Sequence, residues 1–328
     1  MNHRVWAVQQ AEGPFNELEI PCPEPQAGQA LVKIAASGVC LLDTKIRAGK
    51  AAHAKQPFPA VLGLDMSGTV VEVGPGVTPF KAGDEVYGMV GGVGGMQGTL
   101  AEYVVADVAL LALKSQKLTM REAAALPLNA ITMWEGLVDR AHVSTGKTVL
   151  VHAGAGGVGH LAVQTAKAFG AEVFATVSRA KASIVSSYGA TPIDYHDKTV
   201  EQYLEEYTDG QGFDIIYDTL GGPTLDASFK AAKYYTGHVV SCLGWGAHAL
   251  APLSFRGATY SGVFTLIPLQ MGLGREHHGE ILTRITELAN SGQLRPLVSE
   301  ERFTTRNIAD AHAYAETNGV GKAVVEIE

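Results

Sequence analysis

The sequence predicts an α/β protein in which a doubly wound parallel sheet is inserted into a mainly β domain. In the first third, short apolar segments alternate with Gly and Pro, a pattern typical of antiparallel strands joined by turns. From Thr148 onward the pattern becomes strand, glycine turn, helix and strand, which indicates parallel strands covered by helices. Short β segments return at Leu297, so we expect the end of the chain to rejoin the first domain.

Individual elements follow from the same patterns. In the first domain, strands are predicted at Ala30–Ala35, Gly68–Val73, Asp84–Met89 and Ala101–Ala106. In the second domain, strands are predicted at Thr148–Ala153, Glu172–Val177, Phe213–Tyr217, His238–Leu243 and Ala258–Phe264. Helices are predicted at Gly157–Phe169, Ala180–Tyr188, Val200–Thr208, Thr224–Ala232 and Glu280–Ser291. The glycine-rich segment 88–98 opens no helix and is interpreted as a loop.

The composition favours a globular protein that acts on a small molecule. The chain has 328 residues, of which 46% are hydrophobic, and its net charge is -8 with scattered Lys and Arg, so a surface for nucleic acid or an anionic membrane is not expected. Apolar stretches of roughly 18 residues and a signal-peptide pattern are missing, so we expect a cytoplasmic protein. The three cysteines, Cys22, Cys40 and Cys242, are widely spaced and odd in number, so neither a disulfide framework nor a four-thiolate zinc site is expected.

A glycine motif after the strand at Thr148 predicts a dinucleotide-binding turn. Gly154, Gly156 and Gly159 form a Gly-x-Gly-x-x-Gly pattern that opens an apolar helix, and Gly157 and Val158 complete it. The first glycine is expected to make the tight turn, the second to let backbone amides approach a pyrophosphate, and the third to let the helix pack closely on the sheet. The helix N-terminus then favours negative charge. A plain glycine turn is the alternative to this Rossmann domain.

The end of the next strand predicts NADPH as the cofactor. NAD sites usually place an acidic residue there, about 20 residues beyond the glycines, to bind the ribose hydroxyls. Here the segment contains Ser178, Arg179 and Lys181, so a hydroxyl and two cations are available to hold a phosphate. The alternative is that Arg179 and Lys181 are solvated charges at the start of a helix.

Taken together, the chain resembles the medium-chain dehydrogenase/reductase superfamily over essentially its whole length. The segments that carry the resemblance are Gly38–Asp43 with Arg47 and Gly49, Gly63–Gly68, Phe80–Val86, Ala101–Tyr103, Asn129–Thr132, Ala153–Gly159 and Gly321–Lys322. The resemblance implies a GroES-like substrate domain, residues 1–122 and 297–328, around a Rossmann domain, residues 123–296. It also implies a ligand cleft between the domains and a homodimer.

The alcohol dehydrogenases of this superfamily bind a catalytic zinc through a Cys, a His-Glu pair and a second Cys. The corresponding positions here are Cys40, Leu64-Asp65 and Leu128, so two ligands are apolar, whereas a catalytic zinc needs three protein ligands. We therefore expect no metal. His277 and His278 do not restore the site and are interpreted as loop residues that are solvated or locally bonded.

The resemblance is to zinc-free quinone oxidoreductases. Without a Lewis acid, oxidation of an alcohol is difficult, but a quinone or α,β-unsaturated carbonyl accepts a hydride and delocalises the charge. We therefore expect an enzyme, an NADPH-dependent reductase of quinones or other conjugated carbonyls. The alternatives are an enone or enoyl double-bond reductase, a cofactor-binding protein with little turnover, as in lens crystallins that look like this family, and a zinc alcohol dehydrogenase.

Site residues are transferred position by position. The family usually reads Gly-Val-Asn-Pro-x-Asp-x-Tyr-x-Arg, where this chain has Cys40 for the Asn and Lys45 for the Tyr but keeps Asp43 and Arg47. Cys40, Asp43 and Lys45 are the candidate catalytic residues; Cys40 is either a reactive thiol or a small apolar filler, and Asp43 is interpreted as positioning Arg47 or Lys45. Further candidate cofactor contacts are Thr132, Leu243, Gly244, Phe264, Thr265 and Lys322.

Two of these contacts have open alternatives. Thr132 is expected near the nicotinamide ribose, or as a helix hydroxyl bonded to its own backbone. Phe264 is expected behind the nicotinamide, or in the core. Leu243 and Gly244, like Asp218, follow strands at their carboxyl ends, where ligands bind in open α/β sheets.

Overall fold

The computed structural model describes residues 2–317 and 319–328. It divides into two compact units, one formed by Met1–Leu128 with Leu266–Glu328 and the other by Asn129–Thr265. The α/β class predicted from the sequence is confirmed, with antiparallel strands in the first unit and a parallel sheet in the second.

Helices and strands alternate along the chain as follows. Among the described residues, the strands are β1 (Asn2–Val8), β2 (Phe15–Pro21), β3 (Gln29–Gly38), β4 (Ala60–Val61), β5 (Asp65–Val73), β6 (Glu85–Met89), β7 (Tyr103–Asp107), β8 (Leu111–Leu113), β9 (Thr148–Val151), β10 (Glu172–Val177), β11 (Thr191–Asp194), β12 (Ile215–Asp218), β13 (His238–Ser241), β14 (Thr259–Gly262), β15 (Phe303–Thr304) and β16 (Val324–Glu326). The α-helices are α1 (Leu41–Arg47), α2 (Met120–Ala124), α3 (Pro127–Trp134), α4 (Gly159–Ala168), α5 (Ala182–Ser187), α6 (Val200–Thr208), α7 (Gly222–Ala231), α8 (Ala251–Arg256), α9 (Ile267–Met271), α10 (Arg275–Ser291) and α11 (Ile308–Ala315).

Strand β3 lies at the centre of the first unit. It pairs antiparallel with β5, β7 and β16, and the described strands continue on either side in the order β15-β16-β3-β5-β6-β8. Its last residue, Gly38, faces Asp65 of β5 and Val324 of β16. A Cβ at Gly38 would lie 2.2 Å from the Ala124 carbonyl oxygen, so glycine is required for α2 to pack at this end of the sheet. Residues from distant parts of the chain thereby meet at one point.

The long helix α10 packs within the first unit. Tyr87 of β6 donates its hydroxyl to the Leu282 carbonyl at 2.6 Å, and burial raises the pKa of Tyr87 above its usual range. The second unit therefore ends at Thr265, earlier than the predicted boundary before Leu297. His277 and His278 lie in α10, so their interpretation as loop residues was wrong; His278 is buried and His277 pairs with Glu280.

The second unit contains a parallel sheet. Its described strands have the order β11-β10-β9-β12-β13-β14, with all neighbours parallel. The central strands β9 and β12 are buried, which agrees with their uninterrupted apolar sequences. Strand β11, which the sequence pattern did not predict, pairs with β10 so that Asp194 faces Val177. This register places Asp194 beside the residues that follow β10.

A helix must be both long and apolar to span a membrane. In the described part of the chain, none of the helices meets both requirements.

Candidate functional site

The glycine motif forms the turn between β9 and α4. Ala153 has a positive φ of 53°, and the Gly156 amide donates to the Ala153 carbonyl at 2.8 Å. Gly154 lies within the turn that this hydrogen bond closes, whereas the left-handed residue is Ala153, which precedes it. Val158 precedes α4 with helical backbone, and among the described residues it provides no side-chain cap. The His160 amide donates to the Gly156 carbonyl at 3.0 Å, and the positive end of the α4 dipole at this turn favours an anionic group.

The glycines are required because neighbouring atoms lie too close to the turn for a Cβ to fit. A Cβ at Gly159 would lie 2.1 Å from the Ala153 carbonyl oxygen, and one at Gly154 would lie 2.5 Å from the Ala175 Cβ on β10. A Cβ at Gly157 would lie 2.9 Å from the side-chain nitrogen of Asn129. The turn is thus packed tightly against the sheet and α3, as a dinucleotide site requires.

A buried polar pair that the sequence analysis missed supports this turn. Thr176 Oγ1 accepts from the Ala153 amide at 3.2 Å and lies 3.1 Å from His152 Nδ1. Burial lowers the pKa of His152 to about 4, so the ring is neutral and Nδ1 can accept the threonine proton. The pair fixes the amide of the left-handed residue. The one sequence signal for this pair is that His152 stands directly before the glycine motif.

The segment after β10 carries the predicted phosphate-binding residues. Ser178 directly precedes the 3-10 turn Arg179–Lys181, and the Arg179 side chain is 80% exposed. Arg179 Nη2 bonds to Asp197 Oδ2, and its Nε lies 3.6 Å from Asp194 Oδ2. The bond to Asp197 raises the pKa of Arg179. The segment 178–181 contains no acidic residue, but the fold brings two to it: Asp194 at the end of β11 and Asp197 in the turn that follows.

Asp218 organises the carboxyl ends of the neighbouring strands. Its carboxylate accepts from the Gly221 amide at 3.0 Å and from Ser241 Oγ at 2.7 Å. Leu243 follows β13, and its amide donates to Ser241 Oγ at 3.1 Å, while a Cβ at Gly244 would lie 2.1 Å from the Tyr260 hydroxyl. Asp218 therefore shapes the loops that contain Leu243 and Gly244.

Thr132 and Thr265 lie together in the second unit. Their Oγ1 atoms are 3.5 Å apart, and the Thr132 carbonyl accepts from the Tyr217 hydroxyl at 2.6 Å. The Phe264 ring packs edge-on against Trp245, with centroids 6.2 Å apart. Two predicted contacts from distant segments thus form one polar pair.

The first unit contains a buried polar cluster formed by Cys40, Asp43, Asp65 and Lys322. Cys40 donates to Asp43 Oδ2 through its thiol at 2.8 Å and its amide at 2.9 Å, and Asp43 Oδ1 accepts from the Gly63 amide. Asp65 Oδ1 accepts from the Leu128 amide at 2.9 Å, and its Oδ2 bonds to Lys322 Nζ. We call this set the Cys40 cluster.

Burial controls the charges in the Cys40 cluster. It raises the pKa of the Cys40 thiol well above its usual value, and the nearby Asp43 raises it further. Burial also raises the pKa of Asp43 to about 6. Burial by itself lowers the pKa of Lys322, but attraction to Asp65 outweighs it and raises that pKa overall. Cys40 is thus a protonated buried thiol, which favours its interpretation as a small filler over a reactive nucleophile.

The interpretation that Asp43 positions Arg47 or Lys45 was wrong. The Asp43 carboxylate accepts from Cys40 and Gly63, whereas Arg47 donates to the Gly13 carbonyl and stacks on Phe15. The Lys45 side chain is exposed.

The positions that bind zinc in alcohol dehydrogenases do not fit a metal here. Leu64 is fully buried and apolar, Leu128 contributes its amide to Asp65, and the carboxylate of Asp65 is bonded to the ammonium of Lys322. Across the described ranges, no group of three or more His, Cys, Asp or Glu could hold a metal ion. Lys322, predicted as a cofactor contact, thus has its ammonium engaged in the Cys40 cluster.

Two family models match the chain. Residues 26–116 match the alcohol dehydrogenase GroES-like domain, and residues 157–267 match the zinc-binding dehydrogenase domain. The first match covers β3 to β8 of the first unit, and the second match covers α4 and most of the parallel sheet.

Curated relatives include two plant proteins. The chain is 37% identical to the chloroplastic NADPH-dependent alkenal/one oxidoreductase of Arabidopsis thaliana over 94% of this chain and 75% of that protein. It is 36% identical to the 2-methylene-furan-3-one reductase of Solanum lycopersicum over 94% of this chain and 74% of that protein.

Solved structures with the same fold include two bacterial proteins. An alcohol dehydrogenase superfamily protein from Novosphingobium aromaticivorans is 52% identical, with a TM-score of 0.97 over 99% of this chain and 100% of that chain. The quinone oxidoreductase from Coxiella burnetii is 28% identical, with a TM-score of 0.82 over 100% of both chains.

Proposed function

This chain belongs to the medium-chain dehydrogenase/reductase superfamily, and on that basis we propose that it is an NADPH-dependent reductase of conjugated carbonyl compounds. The observation that carries the proposal is the Cys40 cluster. Cys40, Leu64, Asp65 and Leu128 lie at the positions that correspond to the zinc ligands of related enzymes; Leu64 is buried and apolar, and Asp65 is ion-paired with Lys322. A substrate of this chain must therefore accept a hydride without a Lewis acid.

Enals and enones satisfy this requirement best. An enone takes a hydride at its β-carbon, and the negative charge moves to the carbonyl oxygen, which needs only a hydrogen bond or water for protonation. The names of the two plant relatives, an alkenal/one oxidoreductase and a 2-methylene-furan-3-one reductase, support this substrate class. The likeness to a quinone oxidoreductase supports quinones as a second class of acceptor.

The second unit fits NADPH in three respects. The turn at Gly154, Gly156, Gly157 and Gly159 is packed as closely as a dinucleotide-binding turn requires, the N-terminus of α4 begins at this turn, and cations follow β10. We propose that these groups hold the pyrophosphate, while Ser178, Arg179 and Lys181 hold the 2′-phosphate. When bound, the cofactor supplies the hydride.

The remaining contacts are proposed from the family pattern. The hydroxyls of Thr132 and Thr265, together with Phe264, Leu243 and Gly244, are proposed to orient the nicotinamide side of the cofactor. Cys40 and Asp43 are proposed to shape the substrate side as a neutral, buried pair. The catalytic role of Lys45, the cofactor contact of Lys322, the predicted domain boundaries, the homodimer and the cytoplasmic location stay predictions.

The test is NADPH oxidation, followed by absorbance, with an alkenal, a cyclic enone, a quinone and a saturated ketone, each with and without a metal chelator. We expect turnover of the conjugated acceptors, none of the saturated ketone, and no effect of the chelator. Tight NADPH binding without turnover of any acceptor would instead identify a cofactor-binding protein. Turnover restricted to the saturated ketone and abolished by chelation would identify a zinc alcohol dehydrogenase.

A further inference from the structure

The strand register brings two carboxylates to the predicted phosphate site. Asp194 ends β11 opposite Val177 of β10, and its Oδ1 accepts from the His196 amide at 3.0 Å. The Asp197 amide donates to the Asp194 carbonyl at 3.1 Å. This tight turn holds Asp197 so that its carboxylate bonds to the Arg179 guanidinium.

Charge in this segment is balanced before any ligand arrives. Arg179 and Lys181 carry two positive charges, Asp194 and Asp197 carry two negative charges, and the adjacent Lys198 is paired with Glu206, so a phosphate would not meet a net positive site. Both partners of the outer pair are exposed, Arg179 to 80% and Asp197 to 52%. Such a pair is weak and can exchange partners, because solvent screens it.

We propose that Asp197 is a specificity-determining residue that competes with the 2′-phosphate of NADPH for the Arg179 guanidinium. The proposal rests on the proposed function, since it concerns the same cofactor site. NADH lacks the 2′-phosphate and leaves the Arg179–Asp197 pair intact, whereas NADPH must replace Asp197 on Arg179. Asp197 thus narrows the preference for NADPH and lets the enzyme use NADH as well.

The test is Asp197→Asn, which keeps the side-chain shape and removes the charge. The dissociation constants of NADPH, NADH, adenosine 2′,5′-bisphosphate and AMP are measured by calorimetry, which needs no turnover. We expect NADPH and the bisphosphate to bind about fivefold more tightly, while NADH and AMP change little. Equal changes for all four ligands, or no change for any, would overturn the proposal.

Two further variants separate competition from a general change of charge. Glu172→Gln removes one negative charge at the opposite end of β10, where the side chain is exposed, and should leave all four affinities unchanged. In an Arg179→Ala background, Asp197→Asn should lose most of its effect, because no guanidinium remains to be released. A full effect without Arg179 would contradict competition.

The result also distinguishes this inference from the proposed function. Wild-type protein that binds NADPH and reduces an enone, with no response to Asp197→Asn, would refute the inference alone. Protein that binds none of the four nucleotides would refute both.

Discussion

At the scale of single residues, the Cys40–Asp43 pair shows how burial defines chemistry. The thiol donates its proton to a carboxylate that is only 1% exposed, and both burial and the carboxylate disfavour the thiolate. An isolated cysteine in a sequence leaves reactive and inert roles open. Here the Gly63 amide donates to Asp43, and Asp43 accepts from the Cys40 thiol, so this buried arrangement favours the inert role.

Substitution of Cys40 tests that interpretation. Cys40→Ser keeps a donor to Asp43, so enone reduction should fall by less than about threefold, whereas Cys40→Ala leaves a buried acceptor without this donor and should cost about 1–3 kcal/mol of unfolding free energy. Steady-state kinetics and chemical denaturation measure the two effects. A loss of activity by several orders of magnitude in both variants, with stability retained, would show that the thiol itself reacts.

Arg179 gives a second prediction at this scale. Arg179→Ala should weaken NADPH binding about tenfold or more, because charge-assisted hydrogen bonds to a phosphate are lost, and should change NADH binding much less. Fluorescence titration with both cofactors provides the comparison. Equal losses for the two cofactors would refute a phosphate-binding role.

At the scale of secondary-structure elements, the turn between β9 and α4 was predictable, but its geometry was not. The strand, glycine motif and helix follow from local sequence, whereas the left-handed Ala153 donates its amide to the hydroxyl of Thr176, a residue of another strand. Strand β11 escaped prediction because it is four residues long and contains Pro192, so it has no readable period. The acids Asp194 and Asp197 therefore could not be placed beside Arg179 from sequence.

Two alanine substitutions separate the roles of the glycines. Gly159→Ala forces a Cβ to 2.1 Å from a backbone oxygen and should cost about 2 kcal/mol of stability without any ligand. At Gly156 the nearest atom would be 3.1 Å away, so Gly156→Ala should reduce stability less and NADPH affinity more. Thermal unfolding and cofactor titration of each variant test this. If the two variants lost the same stability and the same NADPH affinity, the proposed difference between the two glycines would be contradicted.

At the scale of the whole molecule, the family, the inserted parallel sheet and the loss of zinc ligands follow from sequence. The unit to which α10 belongs could not be read from sequence, because its apolar face has the same pattern whichever sheet it covers. Tyr87, Leu282 and the pair Arg275–Asp107 assign that helix to the first unit. Helix α11 was also missed within a tail that was expected to be β.

Buried histidines predict sensitivity to acid. Burial lowers the pKa values of His152 and His312 to about 4, below the unfolded value of 6.5, so the unfolded state takes up protons first as the pH falls. The unfolding free energy should therefore decrease between about pH 6.5 and 4. Burial raises the pKa of Asp43 to about 6, so Asp43 takes up one proton in the folded state over the same pH range. This uptake offsets part of the destabilisation that the two histidines cause.

The variant His312→Gln isolates one contribution. Its unfolding free energy, measured by denaturant titration from neutral pH to about pH 4, should fall less steeply than that of the wild-type protein, by up to about 1.4 kcal/mol per pH unit. Parallel curves for the two proteins would show that His312 takes up its proton equally in both states.

Conjugate reduction without a metal is most directly tested by tracing the hydride. The enzyme is given NADPH deuterated at the transferred position and an α,β-unsaturated ketone, with a chelator present, and the product is examined by nuclear magnetic resonance. Deuterium at the β-carbon of a saturated ketone is the predicted result. Deuterium on the carbinol carbon of an unsaturated alcohol would contradict the proposed reaction.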